Sequence, residues 1–95
     1  MPEYETTYIL DGNLSNEEVE QIIDQYSEEV KTQGGEVLNK NSWGKRRFAY
    51  TVKGKTEGHY VTMVFKADSL VAKELARILK ISDKVVRSLL ILNPK

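Results

Sequence analysis

From Glu3 to Leu10 the chain alternates, with Tyr4, Thr6, Tyr8 and Leu10 on one side and Glu5, Thr7 and Ile9 on the other. A period of two predicts a strand half-buried against a core. Asp11-Gly12-Asn13 interrupts the pattern, and the apolar period then lengthens. Val19, Ile22, Ile23, Tyr26 and Val30 form one stripe at helical spacing, while Glu17, Glu20, Asp24 and Glu28 line another side. Ser15 is the predicted N-cap, Glu18 completes a capping box, Leu14 is placed to staple onto Val19, and Gly34-Gly35 ends the helix.

Residues 36–52 and 58–66 read as two further strands, joined by the short polar hairpin connection Lys53-Gly54-Lys55-Thr56-Glu57. In the second of them Val61, Met63 and Phe65 alternate with Tyr60, Thr62 and Val64. Neither face is strongly polar, which leaves one side for a partner. Asp68-Ser69 opens a second helix, with Val71, Leu75, Ile78 and Leu79 inward and Lys73, Arg77 and Lys80 outward. Ser82-Asp83 turns the chain into a last strand, Val85 to Leu92, before Asn93-Pro94-Lys95. No linker, repeat or low-complexity stretch divides residues 1–95, so a single domain is expected.

The order is β-α-β-β-α-β. Each helix has one apolar stripe, so both should pack on one face of a four-stranded antiparallel sheet. Right-handed crossovers leave the α+β, ferredoxin-like arrangement as the expected fold. That fold hosts many activities and decides among none of them.

Composition narrows the field. Ninety-five residues with 40% hydrophobic content suit one small domain, too small for a catalytic cleft between lobes. There is no cysteine, so neither a disulfide nor a thiolate metal site is available. No apolar stretch approaches membrane-spanning length and Met1-Pro2-Glu3-Tyr4 is no signal peptide, so a soluble, cytoplasmic protein without a membrane role is expected. The formal net charge of zero hides an asymmetry. Residues 1–36 hold ten acids and one base, a net of −9, whereas residues 37–95 hold thirteen bases and four acids, a net of +9. A neutral chain can thereby present one acidic and one basic surface.

Catalytic chemistry is sparse. His59 is the only histidine and reads as a half-exposed strand residue, with no serine, cysteine or carboxylate arranged around it. Metal ligation would need more than one histidine and scattered acids. Gly34-Gly35 follows a helix, whereas phosphate cradles precede one. No enzyme activity, cofactor or small-molecule substrate is therefore expected, and Tyr4, Tyr8 and Tyr26 are expected in the core.

Positive charge clusters instead. Lys45, Arg46 and Arg47 stand in a strand directly after Gly44, between Trp43 and the pair Phe48 and Tyr50. Alternation sends Lys45 and Arg47 one way and Arg46 the other, unless Gly44 marks a bulge that re-aims them. Lys and Arg also protect edge strands from aggregation, which is the plainer account of such a run. Lys80 ends the second helix, and Lys84 and Arg87 flank the start of the fourth strand. Arg87 interrupts an otherwise apolar strand and needs an anionic partner or a solvated face. Basic side chains beside flat rings are the footprint of nucleic-acid binding, here of structured RNA.

These segments resemble the bacterial small-subunit ribosomal protein S-six family over essentially the whole chain. The most specific part is Trp43-Gly44-Lys45-Arg46-Arg47-Phe48-Ala49-Tyr50, similar to the family's glycine, basic pair and Leu-Ala-Tyr-type strand, with Phe48 in the leucine position. Tyr4-Glu5, Gly58-His59-Tyr60-Val61 and the run from Leu79 to Arg87 match in order and spacing. The resemblance implies a structural constituent of the small ribosomal subunit, cytoplasmic and without enzymatic activity. It implies binding to the central domain of 16S ribosomal RNA together with the small basic ribosomal protein S-eighteen, as a heterodimer. Carried over residue by residue, RNA contact falls on Lys45, Arg46, Arg47 and Arg87, and further on Tyr4, Lys80 and Lys84. Pro2 stands where family members often have an arginine, and many carry a longer, often acidic tail beyond the position of Lys95. The alternative is a free-standing module of the same fold that reads single-stranded RNA through aromatics on an open sheet, although Thr62 occupies a position where a stacking ring would be wanted.

Overall fold

A computed structural model describes residues 1–52 and 54–92. Lys53 of the predicted hairpin connection and the tail Asn93-Pro94-Lys95 lie outside the described residues. The elements run β1 (Glu3–Asp11), α1 (Asn16–Thr32), β2 (Glu36–Val52), β3 (Lys55–Lys66), α2 (Ser69–Ile81) and β4 (Val85–Leu92). The strands form one sheet in the order β2-β3-β1-β4, and every neighbouring pair is antiparallel. This is the ferredoxin-like arrangement that the element order predicts.

Alternation in β1 explains its burial. Tyr4, Thr6, Tyr8 and Leu10 are buried, and they stand opposite Phe65, Met63, Val61 and His59 of β3. Directly opposite residues share a face, so these side chains form the floor on which both helices pack. Val19, Ile22, Ile23, Tyr26 and Val30 of α1 and Val71, Leu75 and Leu79 of α2 close the core from above, with Leu14, Val37, Ile78 and Leu90 packed against its rim. Burying side chains of this size contributes about 1.5–3 kcal/mol each, before the entropy of ordering them is set against it. The Tyr8 ring meets Tyr26 edge-on at 5.5 Å between centroids, and its hydroxyl is buried without a hydrogen-bond partner among the described residues. Burial, and then the neighbouring Tyr26, pushes the Tyr8 phenol above its usual range.

The start of α1 is fixed as its sequence predicts. The Glu18 amide donates to Ser15 Oγ at 3.2 Å, and the Ser15 amide donates to Glu18 Oε1 at 3.1 Å. Those bonds to the charged form hold the Glu18 carboxyl below the ordinary glutamate range.

Two expectations change. β3 begins at Lys55 rather than Gly58, so Thr56 and Glu57 belong to the strand and not to the turn. His59 is 3% exposed, not half-exposed. It stands opposite Leu10 on the helix-covered face, and its Nε2 lies 3.1 Å from the Leu14 carbonyl oxygen, tying β3 to the segment that enters α1. A polar ring is tolerated there because that bond satisfies it.

Candidate nucleic-acid interface

The helices cover one face of the sheet only. On the other, the register places Arg87 of β4 opposite Ile9, Ile9 opposite Tyr60, and Tyr60 opposite Gly44. The next row out is Leu89, Thr7, Thr62 and Asn41. Arg46 stands opposite Gly58 at the near end of the same face.

Arg46 reaches this face because of a bulge. β2 begins with Val37 opposite Phe65 on the helix side; a first slip between Val37 and Asn39 then puts the even positions there, with Lys40 and Ser42 opposite Met63 and Val61. The register then slips between Ser42 and Gly44, where Gly44 takes a left-handed φ of +86° that side chains other than glycine rarely adopt. Beyond the slip Gly44 stands opposite Tyr60 and Arg46 opposite Gly58, so the even positions have changed sides. Ring geometry agrees. Phe48 contacts Tyr60 with centroids 6.2 Å apart, and Trp43 Nε1 donates to Thr62 Oγ1 at 2.9 Å. Both alternatives read from the sequence hold together: the bulge exists, and the three cations still alternate after it.

Gly58 makes the surface possible. A Cβ there would lie 2.5 Å from Ile9 Cγ2, 2.8 Å from the Leu10 carbonyl oxygen and 3.1 Å from Phe48 Cζ. Phe48 and Ile9 therefore close over a position that only glycine fits, and a low apolar floor runs between Arg46 and Arg87. Three strand spacings of about 4.8 Å separate those two strands by about 14 Å.

The cations differ in how free they are. Lys45 stands on the other side, opposite His59, with Nζ 3.7 Å from Glu57 Oε1. Lys55 pairs with Asp11 at 3.0 Å. Hydrogen bonding from the Asn13 amide, and then Lys55, holds the Asp11 carboxyl below its ordinary range. Lys40 pairs with Asp24 at 3.2 Å, and Arg77 pairs with Glu74 one turn before it. Among the described residues Arg46, Arg47 and Arg87 are exposed and in no ion pair, as are Lys66, Lys73, Lys80 and Lys84.

The other sequence candidates lie elsewhere. Lys80 is exposed in the last turn of α2 and lines a groove between α2 and β4, away from the uncovered face. Lys84 is exposed just before β4, and its carbonyl accepts the Asp11 amide at 2.9 Å. Tyr4 is 9% exposed and its ring stacks on Phe65 at 5.7 Å, on the helix side. Its place is in the core, as its alternation predicts, and it shares no surface with Arg46 or Arg87. Trp43 and Tyr50, the rings that flank the basic run in the sequence, are both exposed. Among the described residues no group of three His, Asp or Glu side chains could hold a metal, and no helix is long and apolar enough to cross a membrane.

Comparison with known proteins agrees with this architecture. Residues 3–92 match the family model described as Ribosomal protein S6. The small ribosomal subunit protein bS6 of Carboxydothermus hydrogenoformans is 47% identical over 93 residues, covering 98% of this chain and 97% of that protein. Its counterpart from Thermoanaerobacter pseudethanolicus is 46% identical over 91 residues, covering 96% of each. The crystal structure of 30S ribosomal protein S6 from Thermotoga maritima superposes with a TM-score of 0.90 over 97% of this chain and 87% of that one; at 24% identity it speaks for the fold alone. With the family model spanning nearly all of its length, the chain belongs to the ribosomal protein S6 family.

Proposed function

We propose that the uncovered sheet face binds the central domain of 16S ribosomal RNA, and that it does so as half of a heterodimer with the basic ribosomal protein S-eighteen. Membership of the family makes the chain a constituent of the small subunit of the cytoplasmic ribosome, with a structural rather than a catalytic part. The observation that carries the finer reading is the pairing of Arg46 and Arg87 on one uncovered face, exposed and without carboxylate partners, across an apolar floor.

The chemistry is positioning. A guanidinium forks onto two phosphate oxygens, which a lysine cannot do. Two such forks on a rigid sheet hold two phosphate groups at a set separation and so favour one folded geometry of the RNA. The acidic residues of α1, Glu17, Glu20 and Glu28 among them, are exposed on the helical layer behind the sheet. They repel RNA there, orient the chain, and offer a basic protein a complementary surface. Free cations scattered over both sides of the molecule and a repelling helix leave the chain alone with weak affinity.

Equilibrium binding to a central-domain RNA fragment, with and without the basic partner at two salt concentrations, tests this. Tight, salt-sensitive binding that needs the partner is expected. Equal binding with and without it, or equal binding to any single strand, would defeat the proposal and favour the free-standing module.

A further inference from the structure

We propose that the end of the β2–β3 hairpin forms a notch for one unstacked nucleotide of the RNA, with Tyr50 stacking on the base and Arg47 holding its phosphate. This rests on the RNA-binding reading above and adds a recognition element to it.

The register creates the notch. Pairing of β2 with β3 holds at Arg47 opposite Glu57 and resumes only at Val52 opposite Lys55. Four residues of β2, Phe48 to Thr51, therefore face a single residue of β3, Thr56. One residue across from four means that the regular ladder cannot pair every amide and carbonyl at 48–51. Beside the excess chain lies an open surface hollow of about 380 Å³ lined by Arg47, Phe48, Ala49, Tyr50, Thr51 and Thr56.

The two rings at the notch have different duties. Phe48 is half-buried, tied to Tyr60 and lying over Gly58, so it is a fixed wall. Tyr50 is 71% exposed, and among the described residues no aromatic ring packs on it. A tyrosine this exposed on a hairpin gives the fold little burial. Charge is arranged in the same way. Glu57 engages Lys45 and Asp11 engages Lys55, whereas Arg47, which stands opposite Glu57 on the side of Lys45 and lines the hollow, is in no ion pair among the described residues. A nucleotide has a face for the ring, polar edges for the open backbone and the threonine hydroxyls, and a phosphate for the arginine. An apolar peptide side chain would use only the ring.

The test uses the heterodimer and the same central-domain fragment, comparing Tyr50→Ala, Tyr50→Phe and Arg47→Gln. Stacking releases no counterions. Tyr50→Ala should weaken binding by about tenfold or more with an unchanged salt slope, and Tyr50→Phe should restore it. Arg47→Gln should lower the slope by just under about one unit. Because Tyr50 is exposed, thermal melts of all three should match the parent. Wild-type affinity in Tyr50→Ala, while Arg46 and Arg87 variants still weaken binding, overturns the notch and leaves the RNA reading intact. Loss of heterodimer formation in Tyr50→Ala without RNA present makes Tyr50 a protein contact and also overturns it. Failure of the wild-type heterodimer to bind RNA removes the broader reading, and the notch with it.

Discussion

Neutralising Arg46 and Arg87, singly and together, should separate phosphate contacts from ordinary surface charge. Both side chains are exposed and in no ion pair among the described residues, and they stand on one face about 14 Å apart by strand count. Each phosphate neutralised contributes about 0.7–0.9 to the slope of log affinity against log salt. The double variant Arg46→Gln/Arg87→Gln should therefore lower the magnitude of that slope by about 1.4–1.8. Between about 50 and 200 mM salt, the wild-type complex should lose about tenfold more affinity than the double variant does. Lys45→Gln is the internal control. Its ammonium is already 3.7 Å from the Glu57 carboxylate on the other side of the sheet, and removing it frees an acid rather than a phosphate. Its effect on the slope should stay below about half a unit. Filter-binding titrations of the heterodimer at several salt concentrations measure all three, with thermal melts confirming that the exposed substitutions leave the fold alone. Equal slopes for Lys45→Gln and Arg46→Gln, or an unchanged slope in the double variant, would refute the assignment of the uncovered face.

Two stability predictions follow from the same geometry. Gly58→Ala drives a Cβ to 2.8 Å from the Leu10 carbonyl oxygen, which is backbone and cannot turn away, and to 2.5 Å from Ile9. Urea unfolding should show a loss of at least about 2 kcal/mol, and a loss below half of that would mean that β1 and β3 part easily at this point. Tyr8→Phe removes a buried hydroxyl that has no partner among the described residues. Stability should hold or rise by about 1 kcal/mol, where the same change at a bonded tyrosine lowers it; a clear loss would reveal a hydrogen bond at that oxygen.

What the sequence foretells and what it hides divide along a physical line. Tyr4, Thr6, Tyr8 and Leu10 announce β1, and Ser15 and Glu18 announce the start of α1, because their causes are local: a period of two, and a cap that closes within four residues. The face on which Arg46 emerges has no local cause. It depends on a slip against Val61 and Tyr60, which are distant in the chain, and the glycine permits that slip without requiring it. His59 looks half-exposed because a single polar residue after a glycine carries no burial signal; its burial comes from Leu10 opposite and the Leu14 carbonyl nearby. Thr56 and Glu57 look like turn because the hairpin buries little apolar surface there. Tyr50 continues the alternation of Phe48, and alternation cannot show that four residues of β2 face one of β3. The basic run and Arg87 were visible from composition, yet which of the cations are already neutralised is a matter of tertiary contacts alone.

The central claim is that ribosomal RNA meets the uncovered sheet face rather than the helices, and the lack of any cysteine makes it directly testable. A single cysteine at Leu89, 63% exposed on that face, or at Glu28, exposed on α1, carries a tethered iron chelate that cleaves nearby RNA backbone. In the assembled complex, probes at Leu89 should cut a discrete stretch of the central domain while probes at Glu28 leave it intact. Cleavage from Glu28 with none from Leu89 would place the RNA on the helical layer and contradict the account.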